Sequence, residues 1–337
     1  MHRFKFILLF LGIGLLAYIL LNINLQETVQ YLYRVGFGFL LILFLYFLAF
    51  LFDTFTWQLT LENIPLTGRW TYRCFKIRLI GEAFNNLTPF AGMGGEPLKA
   101  ILLKESYGYG YTNGVASLIL TKTINVVALI LFLAAGLLFI LESANLTVQI
   151  KIVASIGLVS LTFFIFLFFL AQRFKITSTT GILLSKYKPL AWLLQKLMHV
   201  EAIEDRLIKF YTEKRAKLSS ALILAFSNWL LGVLEIYYTM QFLNFPVILV
   251  DAWIIESVAQ LIRAGVFFIP ASIGVQDGVV IIIGSTITGA PTAGGAVAIV
   301  RRVREITWMA WGVIIFYFAK TKIDMNAIQD AEIKKVS

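Results

Sequence analysis

Long apolar runs separated by short polar connections make up most of the chain. The runs Phe4–Leu21, Gly36–Trp57, Gly114–Leu141, Ile150–Leu170, Ser219–Leu243 and Thr292–Ala319 approach or exceed the roughly 20 residues that cross a bilayer core, and they predict about six spanning helices. The first follows His2, Arg3 and Lys5 and ends without a small-x-small cleavage site. It therefore reads as a retained signal anchor rather than a signal peptide.

Two stretches break this pattern. Arg69–Leu87 is helical in spacing but only moderately apolar, and NNLTPFAGMGGEPLKA (residues 85–100) follows it before a short helix over Glu96–Lys104. Asp251–Ile269 is followed by PASIG and a short apolar helix over Val275–Ile287. Neither stretch suits an ordinary spanning helix. Lys and Arg concentrate at the N-terminus, in 58–80, in 173–217 and in the tail, so both termini and these loops are expected in the cytoplasm. Under that topology each broken stretch enters and leaves on one side, and the two enter from opposite faces. Broken backbone at membrane depth is tolerated where it is buried in protein or lines a wet cavity. Residues 69–106 and 251–288 are accordingly expected to form re-entrant helical hairpins.

Aligning the breaks on Pro89 and Pro270 places an acid seven residues on in each, Glu96 and Asp277. Glycines crowd both turns: Gly92, Gly94 and Gly95 in one, Gly274 and Gly278 in the other. A basic residue follows in the next long helix, Lys122 or Arg304. Before each proline, Arg78, Glu82 and Asn85 share one helix face, as do Glu256, Gln260 and Arg263. The expected architecture is an all-α integral membrane protein in which two oppositely oriented hairpins form an inverted repeat. Its divisions are an N-terminal helix pair (1–57), a first repeat (58–172), a basic loop with a surface helix near Pro189–Phe210 (173–217), a second repeat (218–322) and a polar tail (323–337). Inverted repeats of broken helices are associated with transporters whose site lies near the midplane.

Composition narrows the function classes. Of 337 residues, 59% are hydrophobic and 14% charged, against about 25% charged in soluble domains. The net charge of +10 fits cytoplasmic loops and anionic headgroups rather than nucleic acid. One cysteine, Cys74, excludes a disulfide framework. The two histidines, His2 and His199, lie far apart, and no metal-ligand spacing occurs. Neither metal nor cofactor is expected, and no GxxxxGK[ST] loop marks nucleotide-driven transport.

PFAGMGGEPLKA, FFIPASIGVQDG and the basic residues in the helices after them resemble the lysylphosphatidylglycerol synthase transmembrane family, the flippase-type region of multiple peptide resistance factor proteins. The resemblance covers nearly the whole chain. It implies a protein that moves, or helps to move, a lipid or lipid-linked molecule between leaflets in a cell inner or plasma membrane. The family's soluble aminoacyl-transferring domain is missing, so lysyl transfer is not expected. Lys122 and Asn125 stand where the resemblance leads one to expect an arginine and an aspartate, and Asp277 where glutamate is usual.

Each candidate has a plainer reading beside the functional one. Glu96 and Asp277 sit near helix N-termini, where a carboxylate caps and complements the dipole or binds a cationic group. Lys122 snorkels to the interface or pairs with Glu96 or Glu82. Arg263, deeper, is the first candidate for phosphate. Arg301, Arg302, Arg304 and Glu305 crowd one helix, and Glu235 is a buried acid that either serves function or acts as a counter-ion. The expected substrate site comprises Arg78, Glu82, Asn85, Glu96, Lys122, Arg263, Asp277 and Arg304, with Pro89, Gly94, Gly95, Pro270, Gly274 and Gly278 shaping the turns. The expected partners are anionic or zwitterionic lipid and the membrane, with a second copy or an envelope-biosynthesis partner left open. A flippase-like transporter is the leading expectation. A membrane-embedded lipid-modifying transferase and a non-transporting subunit are the alternatives.

Overall fold

A computed structural model describes residues 25–87, 94–174, 193–265 and 275–318. Among them the chain forms eleven helices and no strand. In order these are α1 (Leu25–Val35), α2 (Gly38–Thr60), α3 (Gly68–Leu87), α4 (Gly95–Tyr107), α5 (Tyr111–Glu142) and α6 (Val148–Arg173). They continue with α7 (Leu193–Glu213), α8 (Arg215–Phe242), α9 (Leu249–Gly265), α10 (Val275–Thr288) and α11 (Ala293–Phe318).

Four helices, α2, α5, α6 and α8, are long and apolar enough to cross a membrane. At 26 residues α11 has the length but carries Arg301, Arg302, Arg304 and Glu305. The protein is an all-α, multi-pass membrane protein. Phe4–Leu21, Pro89, Gly92, Pro270, Gly274 and the tail beyond Phe318 lie outside the described residues.

Two boundaries differ from the sequence expectation. Residues 25–35 look like a connection but form α1, an amphipathic helix too short and polar to register as a span. Between it and α2, Gly36 turns the chain with φ +52°, a conformation glycine adopts without a Cβ clash. The second helix, expected over Gly36–Trp57, starts at Gly38 and runs on to Thr60. Its threonines turn inward along the helix: Thr54 and Thr56 donate to carbonyls four residues back, and Thr60 donates to Trp57. Their hydroxyls are thus satisfied without breaking the helix. Asp53 consequently faces the protein from mid-helix.

Packing divides into two halves that meet along α2 and α8. In one, α4 packs between α3 and α5; in the other, α10 packs between α9 and α11. The halves also cross over, α3 packing on α11 and α9 on α5. Ile80, Phe84, Leu102 and Leu103 fill the first core. Ile236, Met240, Ile255 and Val300 belong to the second. A third cluster, with Leu207 and Phe210 against Leu120, Ile124 and Ala221, docks α7 beneath α5 and α8. Only Ala154 and Gln172 of α6 are buried. Its exposed Phe163, Phe164 and Phe166 suit contact with lipid tails.

Helices α3 and α4 approach each other closely. A Cβ on Gly95 would lie 1.8 Å from the Gly81 carbonyl oxygen, an impossible contact unless the helices separate. Gly95→Ala should therefore destabilise the protein by about 2 kcal/mol through overpacking. Gly278→Ala, whose Cβ meets nothing within 4 Å, should be neutral. Thermal unfolding of the two variants in detergent checks this, and equal melting temperatures would contradict the close approach.

Candidate functional site

Between the two halves lies a cavity of about 620 Å³, lined from α2, α3, α4, α5, α6, α8, α9 and α11. Its charged lining forms two nodes. In the first, Asp53, Glu82 and Glu96 face Arg78, Lys99 and Lys122. In the second, Glu235, Glu256 and Glu305 face Arg263, Arg301 and Arg304. Each node is formally neutral. The undescribed segments 88–93 and 266–274 contain no ionisable side chain and leave that balance unchanged.

The first node is organised by Glu96 in the opening turn of α4. Its Oε1 accepts from Lys99 Nζ at 2.9 Å and Asn85 Nδ2 at 3.0 Å, and Lys122 Nζ lies 3.2 Å away. Lys99 reaches it by crossing Gly81, where a Cβ would come within 2.3 Å of the lysine stem. Asn85 joins the two helices: its Oδ1 accepts the Gly95 N–H at 2.8 Å while its amide donates to Glu96 and, at 3.4 Å, to Glu82. The Gly95 backbone donor is thus occupied by Asn85. From α2, Asp53 pairs with Arg78 and accepts from Asn125 Nδ2 at 2.8 Å.

The second node is organised by α11. Each of its three arginines takes an acid from a different helix. Arg301 donates to both oxygens of Glu256 on α9, at 2.9 and 2.8 Å. Arg302 binds Asp277 on α10 at 2.5 Å and Glu305 at 2.9 Å. Arg304 pairs with Glu235 on α8 and lies 3.5 Å from Glu305. Its guanidinium also sits 4.0 Å above the Tyr46 ring, a cation–π contact.

Two lining charges stand apart. Among the described residues no lysine or arginine nitrogen comes within 4 Å of Glu82, whose contact is the long one from Asn85. Among the described residues no carboxylate comes within 4 Å of Arg263 either. Several buried atoms also lack a hydrogen-bond partner among the described residues: Arg301 Nη1, Arg304 Nε, Arg78 Nη1 and Asn125 Oδ1. The cavity therefore retains hydrogen-bonding capacity of both kinds.

Of the residues expected in the site, Arg78, Glu82, Asn85, Glu96, Lys122, Arg263 and Arg304 line this one cavity. Asp277 does not; it faces Arg302, and neither residue lines the cavity. Gly94 precedes α4 with ordinary helical dihedrals, and Gly278 has open space around it. Sequence reasoning missed Lys99 and Asp53 as lining residues. The signal for Lys99 is its place three residues after Glu96. Asp53 gave the signal of a lone acid inside an apolar run.

The cytoplasm-side rim expected from charge is tied separately. Arg206 of α7 bonds Asn113, Glu62 at 3.1 Å and the Tyr109 hydroxyl at 3.1 Å. Burial raises the Tyr109 pKa, so its hydroxyl keeps a proton to donate to the Glu62 carbonyl at 3.2 Å.

Comparison with known proteins bears on this geometry. The family model described as "Lysylphosphatidylglycerol synthase TM region" matches residues 5–312. The chain belongs to this family. Among curated relatives, a UPF0104 membrane protein of Pyrococcus horikoshii is 22% identical over 285 residues, covering 81% of this chain and 84% of the relative. A UPF0104 membrane protein of Methanothermobacter thermautotrophicus is 23% identical over 331 residues, covering 94% of this chain and 96% of the relative. No solved structure matches the chain. The family match spans both nodes, and the two relatives are named only as membrane proteins.

The pairing pattern separates structural charges from free ones. Glu256→Ala strands Arg301 in a buried site and should cost about 3–5 kcal/mol. Glu256→Leu combined with Arg301→Met should recover most of it. Arg263→Ala, which breaks no pair, should stay within about 0.5 kcal/mol of the parent. Thermal unfolding in detergent measures all three, and a large loss at Arg263 would mean that it has a structural partner.

Proposed function

We propose that this member of the lysylphosphatidylglycerol synthase transmembrane-region family is a flippase-like transporter. It moves a phospholipid or lipid-linked molecule between leaflets through the central charged cavity. The observation that carries this reading is one cavity, within a helical membrane protein, that holds paired charges from both halves and leaves Glu82 and Arg263 without ion-pair partners. A charged headgroup meets a steep barrier in hydrocarbon. A polar cavity replaces its water shell with fixed protein groups while the acyl chains stay in lipid.

The volume agrees with this use. About 620 Å³ falls within the 300–1,000 Å³ of typical small-ligand pockets. It suits a headgroup rather than a whole lipid. On this reading α3–α4 and α9–α10 are re-entrant hairpins entering from opposite faces, the two halves form an inverted repeat, and the site lies near the midplane. The protein resides in the cell inner or plasma membrane with both termini in the cytoplasm, following its basic loops. Movement is facilitated or ion-coupled, and no bond is made or broken.

Purified protein in proteoliposomes carrying acyl-chain-labelled phosphatidylethanolamine or phosphatidylglycerol tests the proposal. Dithionite added outside should quench inner-leaflet probe of at least one lipid with the parent protein. Glu82→Gln and Arg263→Ala should each slow this at least tenfold while the protein stays folded. Quenching confined to the outer leaflet for every lipid would overturn transport. Unchanged rates in both variants would overturn the site.

A further inference from the structure

The charge balance of the cavity points to the chemical class of its ligand, given the transporter reading above. A site for an anionic headgroup should carry surplus positive charge, and a site for a net cation surplus negative charge. This lining has neither: six acids meet six bases. The balance also holds within each node, so neither side of the cavity has a net charge to offer.

The two lining charges without an ion pair, however, have opposite sign and lie in different nodes. In the second node the charge without an ion pair is cationic. Among the described residues Arg263 has no acid within 4 Å, and the buried Arg301 and Arg304 retain Nη1 and Nε without partners. Glu305 does not neutralise Arg263 by contact, because its oxygens are engaged by Arg302 and Arg304. In the first node the spare charge is an anion. Lys99 and Lys122 contact Glu96, and Arg78 and Asn125 contact Asp53, so Glu82 faces these bases with none within 4 Å among the described residues. Asn125 Oδ1, a neutral acceptor with no partner, lines the same side. Arg78 Nη1 is a spare donor there too, but its guanidinium is held by Asp53 and stacks 4.5 Å from the Phe50 ring.

We propose that the cavity recognises a net-neutral zwitterion of the phosphoethanolamine type, held in one orientation. Its ammonium lies towards Glu82 and Asn125, and its phosphate towards Arg263 with Arg301 and Arg304. An ammonium offers three donors and no acceptor, which matches a carboxylate and an amide oxygen. Phosphate offers only acceptors, which match guanidinium donors. Binding such a ligand fills both uncommitted charges and leaves the cavity neutral. A phosphoglycerol headgroup would leave Glu82 unpaired and add net negative charge. An aminoacylated phosphoglycerol with two amines would add net positive charge.

The test is binding to the full chain in detergent by titration calorimetry, with soluble probes. Glycerophosphoethanolamine should bind at least tenfold tighter than glycerophosphoglycerol, ethanolamine or inorganic phosphate. Glu82→Gln should erase its preference over glycerophosphoglycerol, and Glu82→Asp should keep it. Arg263→Gln should weaken both glycerophosphodiesters by about ten- to a hundredfold, the worth of a charge-assisted contact. Melting curves confirm that the variants are folded. Equal or tighter binding of glycerophosphoglycerol, equal loss of both probes in Glu82→Gln, or no binding of glycerophosphoethanolamine would each overturn the assignment.

Competition separates the two sources of this chemistry. Displacement of glycerophosphoethanolamine by nanodiscs of phosphatidylethanolamine, and not by those of phosphatidylglycerol, assigns the site to a lipid headgroup. Retention in their presence supports the same recognition chemistry for a soluble phosphoamine and counts against lipid cargo. Zwitterion preference without lipid movement likewise supports this assignment and overturns transport. Lipid movement without zwitterion preference does the reverse.

Discussion

A charge in the bilayer interior must find an opposite charge, and this requirement organises the protein around α11. An unpaired arginine at a helix centre costs about 2.5–3.5 kcal/mol on insertion scales, and α11 carries three within four positions. Each is matched by an acid on a different helix, Glu256 on α9, Asp277 on α10 and Glu235 on α8. The helix is therefore not a free-standing span. Its arginines are matched by assembly with its neighbours, and the same contacts fix its rotation. Buried pairs of this kind add little net stability but strongly penalise the wrong arrangement, since separating them strands both charges.

The other half meets the same requirement with a different wiring. There an acid, Glu96, is the hub and two lysines converge on it, while Asp53 holds Arg78 and Asn125 from a third helix. Four helices are tied in each half, α2–α5 in one and α8–α11 in the other. The crossing contacts of α3 with α11 and of α9 with α5 lock the halves together. Because the hubs have opposite sign, the leftovers do too: an anion in one half and a cation in the other. Segregated spare charge thus arises from an acid-centred and a base-centred network sharing one cavity.

Much of this was legible in sequence because membrane burial makes every ionisable residue conspicuous. The spacing of Arg78, Glu82 and Asn85, and of Glu256, Gln260 and Arg263, placed those residues on single helix faces, and all six line the cavity. Counter-ion choice was not legible. Glu235 was already a candidate counter-ion, but that Arg304 prefers it to the adjacent Glu305 depends on how α8 lies against α11. Asp277 matched Glu96 in its distance from a proline, yet a close partner on α11 draws it away from the cavity. Lys99 and Asp53 were obscure because their roles depend on a missing Cβ at Gly81 and on a helix that continues through three threonines. Such features follow from approach distances between helices, which periodicity does not encode.

On the proposed transporter reading, neutrality has a further consequence, because such a site must both accept and release its ligand. A cavity with several spare charges of one sign would hold a complementary headgroup tightly and let it go slowly. Conduction and transport need binding strong enough for entry and weak enough for exit. Here the pairing of Glu96, Glu235 and Glu256 withdraws most of the available charge into the scaffold. What remains is one charge of each sign with a few unpartnered hydrogen-bonding atoms. That combination favours selection by charge arrangement over selection by total charge. Opposite uncommitted charges reward a ligand only when both of its charged groups are present and correctly oriented.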